Sequence, residues 1–199
     1  MNPLEDKSKT SKMKFLVAAL LALSVGFVLG HADVASAQSG LTVSKLDARL
    51  SQGPDQPKRL GLLNLTGLVN DNSTDGQLID DLIAGTVVLQ VDAGTGFLLD
   101  VTISGCTALV SHPGARCKAD LPFGTGRYKF QARRYRNSPN VFRIDFRGRR
   151  LAGEITGSDV LAGPATATLI QTGATRVDTL DTSECTAQRS GGFLKCRAE

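Results

Sequence analysis

The sequence contains no tryptophan and only two histidines among its 199 residues. A chain without tryptophan offers a poor cleft for a glycosidase. His112 is the one histidine outside the N-terminal 37 residues, which is too few for a histidine-based zinc site. No Gly-x-Ser-x-Gly elbow is present to build a Ser-His-Asp triad around it. We therefore expect no enzyme activity, no catalytic residue and no cofactor.

The first 37 residues have the organisation of a cleaved signal peptide. A basic stretch precedes an uncharged apolar run at 15–30, which is short for a membrane-spanning helix. Ala35-Ser36-Ala37 then fits the small-x-small rule for signal peptidase. We predict cleavage before Gln38 and a mature chain that is secreted or periplasmic, with no transmembrane anchor.

The four cysteines indicate two disulfides rather than a metal site. An exported chain with paired cysteines favours disulfide bonds. Ten residues separate Cys106 from Cys117, and ten separate Cys185 from Cys196. This equal spacing, around turn-forming residues, predicts the pairs Cys106–Cys117 and Cys185–Cys196, each closing a terminal hairpin.

The cysteine spacing is part of an ordered set of internal matches. The matched segments are 45–49 with 129–133, 63–67 with 144–148, 81–85 with 159–163, 106–108 with 185–187, and 117–119 with 196–198. Their order is conserved and their offsets stay between 78 and 84 residues. We interpret them as two copies of a unit of about 80 residues, at 38–120 and 121–199.

These matches carry a resemblance to uncharacterised secreted bacterial proteins with tandem β-repeats. The shared features are the Lys-x-x-Ala-Arg strand, the Leu-x-Gly or Phe-x-Gly strand end and the Asp-x-x-Ala-Gly turn. The resemblance implies no activity, ligand or site residue.

Each copy shows the alternation of half-buried β-strands. Tyr128, Phe130 and Ala132 alternate with polar residues before a turn near Pro139, and the alternation resumes from Phe142 to Phe146. Only the stretch 75–84 favours a helix, of one or two turns. The predicted fold is all-β, with two tandem β-sandwich or small-barrel repeats.

The two copies differ most in charge. Residues 38–120 contain six Lys or Arg against nine Asp or Glu, whereas residues 121–199 contain thirteen against seven. If the alternation holds, Lys129, Arg133, Arg143 and Arg147 share the solvent face of one hairpin. Guanidinium groups in such a row attract phosphates, sulfates and carboxylates.

Three interpretations of this chain remain open. The first is an exported structural or interaction protein, whose basic residues form a solvated sheet face that protects a sheet edge. Its oppositely charged copies could also drive self-association. The second is a binding protein for an acidic glycan, lipopolysaccharide or another polyanion. Nucleic acid is not expected as a partner, because the chain is exported and its aromatics point inward.

The third interpretation is a weak calcium-binding surface module. Asp71, Ser73 and Asp75 resemble the start of a calcium loop, although the twelfth position is Leu82 rather than a carboxylate. A plain acidic turn explains the same residues. We therefore predict no firm metal site.

Overall fold

Alternating side chains produce strands with one buried face. In the computed structural model, Tyr128, Phe130 and Ala132 are buried, whereas Lys129 and Arg133 are exposed. The structure describes residues 40–51, 59–71, 77–93, 98–121, 126–151, 155–156, 161–187 and 192–199. The predicted signal peptide and its cleavage site lie outside these residues.

The described residues form strands and one short helix. The strands are β1 (Leu41–Ser51), β2 (Arg59–Asn70), β3 (Val88–Ala93), β4 (Leu98–Thr102), β5 (Cys106–Ala108), β6 (Gly114–Asp120), β7 (Arg127–Arg134), β8 (Val141–Arg149), β9 (Ile155–Thr156), β10 (Ala165–Gln171), β11 (Ala174–Leu180), β12 (Cys185–Ala187) and β13 (Phe193–Arg197). Helix α1 covers Gln77–Ala84, and a 3₁₀ turn covers Thr182–Glu184. The helix lies within the stretch predicted to be helical.

The strands form two antiparallel sheets. The larger sheet has the order β12-β13-β1-β2-β8-β7-β6-β5, and the smaller has the order β11-β10-β3-β4-β9. Both sheets therefore contain strands from residues 38–120 and from residues 121–199. In the described part of the chain, neither segment forms a sheet of its own.

The larger sheet has matching registers in its two halves. Corresponding register partners are Cys106–Cys117 and Cys185–Cys196, Cys117–Phe130 and Cys196–Leu46, and Phe130–Phe146 and Leu46–Leu65. At the centre of the sheet, β2 pairs with β8 and places Leu65 opposite Phe146. The strands β12-β13-β1-β2 and β5-β6-β7-β8 thus pair in the same order and register, and the two halves meet where β2 pairs with β8.

Buried side chains of both sheets belong to one hydrophobic core. Tyr128 on β7 adds a polar link, because its hydroxyl donates to the Thr102 carbonyl at 3.1 Å. The same hydroxyl accepts the Ser104 backbone N–H at 2.7 Å. Tyr128 therefore connects the larger sheet to the end of β4 in the smaller one.

The all-β class and both disulfides are confirmed. Cys106 is bonded to Cys117 and Cys185 to Cys196, and each bond joins the two strands of a terminal hairpin. The tandem-repeat origin and the sandwich or barrel form stay predictions. Among the described residues, no helix has the length and apolarity needed to cross a membrane.

Candidate anion-binding face

The four basic residues predicted to share a face form two cross-strand pairs. Lys129 on β7 is the register partner of Arg147 on β8, and Arg133 is the partner of Arg143. All four side chains are exposed. Directly opposed side chains in an antiparallel pair have Cβ atoms about 5 Å apart. The hairpin therefore places like charges side by side.

The two pairs differ in their surroundings. Gln131 and Asp145 lie opposite each other between them. Arg143 Nε is 3.3 Å from Asp145 Oδ2, and Thr66 Oγ1 donates to Asp145 Oδ1 at 3.0 Å. Arg143 already has a carboxylate partner, so the pair of Lys129 and Arg147 is the more available for an added anion.

The fold adds Lys118 to this pair from residues 38–120, which we call the acidic segment because acidic residues outnumber basic ones there. Lys118 on β6 is exposed and is the register partner of Lys129. Lys118, Lys129 and Arg147 therefore form a continuous row of three cations across three neighbouring strands. The inward Cys117 indicates that its neighbour Lys118 points outward. The predicted boundary between residues 120 and 121 separates β6 from β7, however, so this pairing was not expected.

A second cationic pair lies beside this row. Arg127 on β7 is opposite Arg149 on β8, and both are exposed. A solvent-open groove of about 330 Å³ is lined by these two arginines and by Lys129, Arg147 and Arg150. A neighbouring groove of about 390 Å³ includes Lys118 and Gln131. We call Lys118, Arg127, Lys129, Arg147 and Arg149 the basic face.

The basic face forms no ion pair within the described part of the chain, although the exposed Asp120 is the register partner of Arg127. The ion pairs found there are Lys45–Asp47, Arg143–Asp145, Arg176–Asp71 and Arg197–Asp47. None of them includes a residue of the basic face. Like charges directly opposite each other destabilise a sheet, and a bound anion would relieve that repulsion.

Edge protection does not account for these charges. The edges of the larger sheet are β5 and β12, whereas β7 and β8 are interior strands. Lysines and arginines that prevent edge-to-edge pairing are needed at the edges. A solvated face remains the structural alternative to a binding surface.

The calcium candidate Asp71 is engaged inside the protein. Asp71 is fully buried, and its Oδ2 accepts the Leu78 backbone N–H at 2.8 Å. Its Oδ1 is 3.2 Å from Arg176 Nη2. Ser73 and Asp75 lie outside the described residues. The described residues contain no group of three or more His, Cys, Asp or Glu that could hold a metal, and the calcium interpretation stays a prediction.

His112 does not join the basic face. It is exposed, in the loop that connects β5 to β6.

Comparison with known proteins gives no match to a family model, to a curated protein or to a solved structure.

Proposed function

We propose that this chain is an exported, non-enzymatic protein that binds an anionic polymer on the basic face. The observation that carries the proposal is the row of Lys118, Lys129 and Arg147, which are neighbours in register and have no described counter-ion. Arg127 and Arg149 widen the same positive surface.

The exposure of these side chains favours a polymer over a single small anion. An exposed ion pair contributes about 1 kcal/mol or less, and salt screens it. Several such contacts to one ligand add through effective concentration. A chain of linked anions therefore suits this surface, and its binding should weaken steeply as salt is added.

Self-association through opposite charges has less support. The acidic segment uses several of its carboxylates inside the protein: Asp71 and Asp81 are buried, and Asp47 pairs with Lys45 and Arg197. The excess of acids counted along the sequence is thus not available as one acidic surface. A monomer that persists at high concentration and low salt would exclude this alternative.

We also propose that the chain is exported to the periplasm or the medium after cleavage before Gln38. Two disulfides in the folded chain are compatible with an oxidising compartment. The intact mass of the exported protein should correspond to residues 38–199 with both disulfides formed. A mass that includes the first 37 residues would contradict cleavage.

We further propose that residues 38–120 and 121–199 descend from one duplicated unit. The matching registers of the larger sheet support this, because they relate the same residues that match in sequence. Gly67 and Gly148 end matched strand segments, and a Cβ on either would come within 2.7 Å of a neighbouring atom. Homologues in which the matched segments of the two units are no more alike than unrelated strands would contradict a duplication.

Retention on immobilised heparin tests the binding proposal. The exported protein should be retained at low salt, and the double substitution Lys129→Ser and Arg147→Ser should shift elution to clearly lower salt. Arg134→Ser with Arg136→Asn is the matched control, because it also removes two exposed positive charges, away from the row.

The control decides between a defined face and net charge alone. Elution of the control close to that of the unmodified protein would support the basic face. Failure of the unmodified protein to bind at low salt would contradict the proposal. An equal loss in both double variants would also contradict it.

A further inference from the structure

The cationic row continues across a fourth strand with a neutral side chain. Lys118, Lys129 and Arg147 occupy β6, β7 and β8, and Asn64 on β2 is the register partner of Arg147. Neighbouring strands are about 4.8 Å apart, so the four positions span roughly 14 Å perpendicular to the strands.

A polar row runs beside the cationic one on the same four strands. Arg116 is opposite Gln131, Gln131 is opposite Asp145, and Asp145 is opposite Thr66. These positions are two residues along each strand from the cationic row, a distance of about 7 Å. Gln131 Nε2 has no hydrogen-bond partner among the described residues. This row therefore combines guanidinium, amide, carboxylate and hydroxyl groups.

We infer, on the basis of the proposed function, that the ligand is an acidic polysaccharide whose chain crosses the strands. Its carboxylates would contact Lys118, Lys129 and Arg147. Its hydroxyl groups would exchange hydrogen bonds with Gln131, Asp145 and the neighbouring side chains. The juxtaposition of a cationic row with a hydroxyl-binding row matches a polymer that carries both groups on each unit.

A polymer with denser charge fits this surface less well. Asp145 lies in the polar row beside the cationic row and repels phosphates that pass over it. The outward positions of β6, β7 and β8 also hold no aromatic residue for base stacking.

Fluorescence anisotropy with three labelled probes tests the ligand class. The probes are a hexamer of galacturonic acid, the same hexamer with its carboxylates methyl-esterified, and a linear polyphosphate. At low salt, the acidic hexamer should bind at least tenfold more tightly than the ester. The Asp145→Asn variant should tighten polyphosphate binding at least threefold and change hexamer binding less than twofold.

The matched control for this variant is Asp92→Asn, which removes an exposed carboxylate from the smaller sheet. It should leave the affinity for both anionic probes within twofold. Equal tightening of both probes by Asp145→Asn would overturn the assignment of Asp145 as a hydroxyl-binding group. Polyphosphate binding without hexamer binding would overturn the polysaccharide but preserve the proposed function. Binding of neither anionic polymer would contradict both.

Two single substitutions test the direction of the chain. Lys118→Ser removes one exposed positive charge from β6, the strand beside β7. Arg133→Ser removes one exposed positive charge from β7 itself. A ligand that crosses the strands should lose at least fivefold in affinity with Lys118→Ser and less than twofold with Arg133→Ser. The reverse order would show a ligand that follows β7, and it would overturn the crossing geometry.

Discussion

At the residue scale, the buried ion pair of Asp71 and Arg176 joins three elements. The Asp71 carboxylate lies just after β2 and accepts the Leu78 N–H in the first turn of α1. Arg176 on β11 contacts that carboxylate and also donates from Nε to the Asn70 carbonyl at 3.3 Å. The charges are therefore buried, paired and hydrogen-bonded.

We expect Arg176→Met to lower the free energy of unfolding by about 3 kcal/mol or more, because it removes the ion-pair partner of a buried carboxylate. The combined substitution Asp71→Asn and Arg176→Met should cost less than the sum of the two single changes. Urea denaturation of the four proteins gives the coupling free energy. Additive effects would show that the ion pair is not a coupled unit.

At the scale of single elements, the sequence was sufficient to predict the β7–β8 hairpin. Its apolar residues alternate without interruption on both sides of the turn, so the faces of Phe130 and Phe146 follow from the period of a strand. The cysteine pairs could be predicted equally well from the sequence, because two equal spacings around turn residues define two local hairpins. Local patterns of this kind need no knowledge of distant strands.

The pairing of β6 with β7 and of β8 with β2 could not be predicted in the same way. The pairing of β8 with β2 depends on how the two segments pack, because the register partners Leu65 and Phe146 are far apart in sequence. β6 and β7 are consecutive strands, but the predicted boundary between residues 120 and 121 placed them in different units. The sequence therefore indicated Lys129 and Arg147 but not Lys118. Arg143 was predicted as an anion-binding residue on equal terms with Lys129 and Arg147, although its side chain already forms an ion pair with Asp145.

The two disulfides should have similar effects on stability and different effects on binding. Replacing Cys106 and Cys117 with serine, or Cys185 and Cys196, should lower the free energy of unfolding by about 3 kcal/mol in the chain-entropy model. Only the first pair staples β6, the strand that holds Lys118. Its removal should weaken polyanion binding, as measured by anisotropy under conditions where both variants are folded. Equal binding losses in the two variants would contradict a specific role for β6.

At the scale of the whole molecule, charge along the chain and charge in the fold are distributed differently. The sequence suggests an acidic half and a basic half. The fold instead mixes the strands of both halves and buries Asp71 and Asp81. It also brings Lys118 from the acidic half into the row with Lys129 and Arg147. The positive surface therefore depends on the order of the strands in the sheet, which a count of charged residues along the sequence does not show.

NMR mapping of the surface that binds a polyanion tests whether the ligand lies on the basic face. Amide chemical shifts of the ¹⁵N-labelled protein, residues 38–199, would be followed during titration with a heparin hexasaccharide at low salt. We predict that the largest saturable shifts lie on β6, β7 and β8 around Lys118, Lys129 and Arg147. Shifts concentrated on β10 and β11 of the smaller sheet, or spread evenly over both sheets, would contradict it.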